Sequence, residues 1–240
     1  MEFLELRREL LKSMNQIAIE MEDIILLRYF DKLGNDKKRL LSIMQDAYKT
    51  LDLFCIAIQK GAIVQAGLLL RQFLEQVAIS FVLVQHQDLI SKYNEHCKFR
   101  LETANLKKHE QIKEASKRFG VPENRDALTF IDYGWIPFDN TKDCNEDGML
   151  RYAGFDDIIV WRKLYLDKTA HMSYTSNDFL GDTHDFPILN NFMQIAGKLF
   201  DHLCVAFHNL SKFAFAFDGK DLFNGVFRPA YSSYCDELDK

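Results

Sequence analysis

Through most of this chain, apolar residues recur three and four positions apart, and strict alternation is scarce. That spacing puts one oily stripe along a helix and leaves it to be buried against other helices. The class expected is therefore all-α: a helical bundle of about five to seven helices. With 240 residues the chain can bury one sizeable core, so residues 1–240 are read as a single all-α domain. Its core bundle is expected over about 36–215, with 216–240 as a tail packed on that bundle.

The spacing predicts a first helix from Phe3 to Phe30, ending at the "KLGND" turn, and a second from about Asp36, as N-cap, to Gly61. A third, over 62–85, is apolar around most of its circumference and is the candidate central helix. A fourth, over 88–119, is long and charged. A short helix near 124–133 leads to "GWIPFDNTKDCNEDGML", which reads as a loop with Trp135, Ile136 and Phe138 to bury. Helical signal resumes over 155–172. A last long helix starts at Pro187, a residue suited to a first helical turn, and runs to about Phe215.

A net charge of -5 disfavours a surface that coats nucleic acid or anionic lipid throughout. One stretch differs: residues 92–125 carry nine Lys or Arg against five Glu. That mixture is characteristic of a solvated helix face. Five widely scattered cysteines lack the paired spacing a zinc site needs and read as reduced thiols. The N-terminus alternates charge with Leu, unlike a signal peptide, and no uncharged run reaches membrane-spanning length. A cytoplasmic protein is expected, with no membrane partner, no cofactor and no metal.

Within "LLLRQFLEQVAIS", Arg71 and Glu75 stand one helical turn apart beside Leu68, Ile79 and Leu83. A buried charge needs a partner, and Arg before Glu is the weaker order for a pair on one helix. A third group is therefore expected from elsewhere. The segment "RKLYLDKTAHMSYTS" offers it, with Asp167 and His171 four apart and Tyr165 nearby. Histidine can move a proton, bridge hydrogen bonds or bind a metal. Asp178, Asp182, His184 and Asp185 add oxygen and imidazole donors, of types that also favour polar turns.

These two segments resemble a family of uncharacterised bacterial proteins with a HEPN-like helical domain. In that family an Arg-x-x-x-Glu helix is followed, some ninety residues later, by a Tyr-containing helix ending in His and a small polar residue. The matching positions are Arg71 and Glu75, then Tyr165, His171 and Ser173, with Trp135 between them. The resemblance implies a helical bundle that is frequently dimeric, in a superfamily that includes RNases of toxin and phage-defence systems alongside inactive relatives. Its RNases carry Arg-x(4-6)-His on one helix; here Arg162 is followed by Lys163 and stands too far from His171.

The reading is thus a HEPN-like protein with a polar pocket, RNA-processing or defence related. Its candidate catalytic residues are Arg71, Glu75 and His171, and its candidate binding residues Tyr165, Asp167 and Ser173. The partners expected are a second copy of the chain and RNA or a nucleotide. Were it an enzyme, His171 would move a proton and Arg71 would stabilise a phosphorane, without a metal. The alternatives are a non-enzymatic interaction or dimerisation module and a small-ligand or nucleotide-binding protein.

Overall fold

The second and third helices turn on Gly61, whose φ of 70° is a left-handed conformation that only glycine adopts without strain. A computed structural model describes residues 3–24, 34–120, 133–138, 143–167, 187–211 and 223–238. In chain order its α-helices are α1 (Phe3–Ile24), α2 (Asn35–Gln59), α3 (Ile63–Gln85), α4 (Leu89–Thr103), α5 (Lys108–Phe119), α6 (Glu146–Tyr152), α7 (Asp156–Trp161), α8 (Pro187–Ser211) and α9 (Arg228–Leu238). Two π-helical turns accompany them: Arg162–Leu166 continues α7, and Phe223–Phe227 leads into α9. The chain is all-α, and no strand occurs among the described residues.

The nine α-helices among the described residues exceed the five to seven expected, for two reasons. First, the predicted fourth helix breaks after Thr103. The freed backbone groups find side chains: Gln111 donates to the Thr103 carbonyl at 2.9 Å, and Glu110 accepts from the Lys107 N–H at 2.9 Å. The break lets α5 fold back, so that Phe99 and Ala115 form a small core of their own with Ile112 and Phe119. Second, helices also form where a loop and a tail were expected, as α6 and α9.

α3 lies centrally between α2 and α8, burying Leu70, Phe73, Leu74, Val77 and Ala78. By length and composition alone it could cross a membrane, as a core helix also can. α1 flanks α2 and brings Leu10 and Met14 into the same core. Trp135 and Ile136 are buried as expected. The start of α2 lies at Asn35 with Gly34 as its extended cap, not at a cap on Asp36. The five cysteines are thiols, with no disulfide.

Candidate functional site

Arg71 and Glu75 project from α3 toward the 133–138 turn, α6 and the π turn. Asn145 starts α6 by accepting from the Gly148 N–H at 2.9 Å, which leaves Glu146 and Asp147 in the first turn. Carboxylates are favoured there by the helix dipole. Gly148 is needed for close packing, since a Cβ on it would lie 1.8 Å from the Asp143 carbonyl oxygen.

Opposite α6, the π turn aims Arg162 inward. Residues five apart on a regular α-helix diverge by about 140°. The wider turn instead brings Arg162 Nη1 to 3.5 Å from Asp167 Oδ1. Such turns recur at functional sites and as bulges within helices.

Arg162, only 5% exposed, is the hub. Its Nη2 donates to Asp147 Oδ1 at 2.6 Å and its Nη1 to Glu146 Oε2. Lys163 also donates to Asp147. Arg71 completes the cluster, with Nη2 at 3.2 Å from Glu146 Oε2 and Nε at 3.6 Å from Asp167 Oδ1. Three cations thus face Glu146, Asp147 and Asp167. Among the described residues, Arg162 Nε, Gln76 Oε1 and Ser80 Oγ are buried without a hydrogen-bond partner.

Glu75 is the fourth acid and stands apart from this balance. Arg71 forms no ion pair with it, although the two share a helix face; the guanidinium is drawn to two carboxylates from elsewhere. Glu75 Oε1 accepts from the Tyr133 hydroxyl at 3.4 Å. Burial raises its pKa above the ordinary glutamate value, and the neighbouring Glu146 raises it further, against the pull of Arg100, Tyr133 and Arg71. Asp147 moves the other way. Burial opposes that shift, but the Lys163 hydrogen bond and the charges of Arg162, Lys163 and Arg151 outweigh it.

Of the residues predicted from sequence, the structure thus joins Arg71 to Asp167 and places Glu75 beside them. Tyr165 packs on Trp161, with ring centroids 5.0 Å apart, at the aromatic edge of the same segment. His171 and Ser173, like Asp178, Asp182, His184 and Asp185, lie outside the described residues. Among the described residues no group of three His, Cys, Asp or Glu is placed to hold a metal.

Sequence reasoning missed Glu146, Asp147 and Tyr133, and weighed Arg162 only against a nuclease motif. "NEDG" carried a signal: an Asn cap followed by two acids starts a helix as readily as it makes a turn. No comparable signal marked Tyr133. Comparison with models of known protein families, with curated proteins and with solved structures finds no significant match.

Proposed function

We propose that this is a HEPN-like helical protein acting as a non-catalytic interaction module, in which the Arg162 cluster clamps residues 143–167 onto α3. One observation carries the reading: the cations a phosphodiester would need are already engaged. Arg162 is enclosed by Glu146, Asp147 and Asp167, and Arg71 is shared between Glu146 and Asp167. A guanidinium balanced by carboxylates offers little net attraction to RNA phosphate, which would also have to displace charged hydrogen bonds. Self-association is part of the proposal. Val160 and Leu164, one helical turn apart, are 65% and 48% exposed, beside the partly exposed Trp161 and Tyr165.

A second reading, metal-independent RNA cleavage, has one observation in its favour. Asp167, held against Arg71, precedes the predicted proton-transfer group His171 by four residues in sequence. In that reading Arg71 exchanges a carboxylate for a phosphate.

Incubating a labelled RNA with the wild type and with His171→Ala separates the two. Equal, background-level rates are expected; a His171-dependent rate overturns the module reading. Light scattering across a concentration series should give the mass of a dimer, and a monomer at every concentration removes the self-association.

A further inference from the structure

Arg71 has two sets of acidic partners within a helical turn's reach, and the structure shows it on one of them. Glu75 follows it by four residues on α3, while Glu146 and Asp167 approach from α6 and from the end of the π turn. At 33% side-chain exposure, Arg71 retains room to move that Arg162, at 6%, lacks. We propose that Arg71 is a two-position clamp whose partner is selected by the proton on Glu75.

The groups around Glu75 make it the selector. From its own helix comes Arg71; from α4, Tyr93 and Arg100; from the 133–138 turn, Tyr133; from α6, Glu146. In the arrangement observed, Arg71 serves Glu146 and Asp167 and ties the π turn to α3, and a proton on Glu75 favours that position. With Glu75 ionised, a half-buried carboxylate beside Glu146 draws on two cations, Arg100 from α4 and Arg71 from its own helix, and of these it is Arg71 whose move changes the hold on the π turn. Turning to Glu75 removes Arg71 from Asp167, whose remaining cation is Arg162 at 3.5 Å. The end of the π turn, where the chain continues toward His171 and Ser173, then loosens. Burial and Glu146 move the Glu75 titration upward from the ordinary glutamate value, against Arg100, Tyr133 and Arg71, so the change comes at a higher pH than an ordinary glutamate would give.

The inference rests on reading the cluster as a clamp and adds the condition that opens it. Hydrogen exchange followed by mass spectrometry, corrected for the intrinsic pH dependence of amide exchange, tests it on the full chain. Between pH 5 and 8, amides over 160–167 of the wild type should speed up about fivefold, as expected when a local opening becomes easier. Glu75→Gln should hold them slow throughout, and Arg71→Gln fast throughout. A flat wild-type profile, or a Glu75→Gln profile that follows the wild type, overturns the proposal.

Carbon and nitrogen NMR of the wild type supplies the test that needs no variant. The Glu75 carboxyl and the Arg71 Nε must report one shared midpoint, and an Arg71 signal that ignores the Glu75 titration also overturns it. The outcomes stay separable from the RNA assay. His171-dependent cleavage with the pH profile intact removes the module reading and keeps the switch, while a flat profile with no cleavage does the reverse.

Discussion

Residues 143–167 and 223–238 are fastened to the same bundle by opposite means. The first places Met149, Leu150, Phe155 and Ile158 in the core but meets α3 through Arg162, Arg71 and three carboxylates. The second is held chiefly by rings: Phe227 stacks on Phe223 at 5.4 Å and on Tyr231 at 5.6 Å, and stands edge-on to Phe200 at 4.8 Å, with the Arg228–Asp201 ion pair at 3.1 Å on its more exposed side. Each contains a π turn, so the backbone irregularity does not distinguish them. Chemistry does. The rings of the seam hold regardless of pH and salt, whereas a charge cluster holds only while its members keep their charges and partners.

The largest expected effect tests the seam. Phe227 is fully buried, and Phe227→Ala should cost about 3–5 kcal/mol in unfolding free energy by denaturant titration. The loss should be the same at pH 5 and pH 8. A loss that varies with pH would mean that the seam is not purely apolar.

Arg162→Ala tests the clamp and should cost about 3 kcal/mol, because it leaves Glu146, Asp147 and Asp167 crowded around a missing charge. This loss depends on pH. Asp147 titrates below its ordinary value in the folded chain, so its contribution is present above the ordinary aspartate range and lost as pH falls through the lowered value. The gap between Arg162→Ala and wild type should therefore shrink below about pH 4. If Arg162→Met combined with Glu146→Leu and Asp167→Leu recovers most of the stability, the cluster's role is to hold, as apolar replacements of buried ion clusters often show. Were that variant stable and still unable to self-associate, the cluster would be part of the interface.

These contrasts also explain what was legible beforehand. The period of Leu70, Phe73, Leu74, Val77 and Ala78 announces a core helix, because burial is written directly into residue type. Arg71 and Glu75 could be flagged for the converse reason: charges amid Leu68, Ile79 and Leu83 require an account. Their partners could not be found in that way. Glu146 lies 75 residues from Arg71, in a stretch whose Asn, Asp and Gly suit a turn as well as a helix start. Arg162 and Asp167 meet only because the backbone widens into a π turn, so a reading by α-helical angles separates them. The aromatic tail was recognisable as something that packs. Its helix was not, since Pro229 and Gly225 weaken the local signal and Phe227 and Tyr234 acquire their burial from α1 and α8.

A smaller effect probes how closely the seam is fitted. A Cβ on Gly197 of α8 would stand 2.4 Å from the Tyr231 ring of α9, and the Tyr231 hydroxyl donates to the Gln194 carbonyl at 3.1 Å. Gly197→Ala must push that ring aside and should cost about 1–3 kcal/mol as overpacking. Thermal unfolding of Gly197→Ala alone and with Tyr231→Leu checks the cause. The double variant should regain part of the loss, and no recovery would place the strain elsewhere.

The smallest expected effect sharpens the clamp side. Asn145→Ala removes the side-chain acceptor for the Gly148 N–H and should cost about 1 kcal/mol, the usual worth of an N-cap. Its position gives it a second consequence that an ordinary cap lacks. Glu146 and Asp147 follow directly, and both hold Arg162, so fraying the first turn of α6 loosens two of the hub's carboxylates together. Losses from Asn145→Ala and Arg162→Ala should therefore fall short of additive, because each releases interactions the other has already weakened. Phe227→Ala, in the other fastening, should add to Asn145→Ala in full. A double-variant series measured by denaturant titration decides it: additivity in the first pair would mean that the cap and the hub are independent, and that the clamp is a set of separate bonds and not one unit.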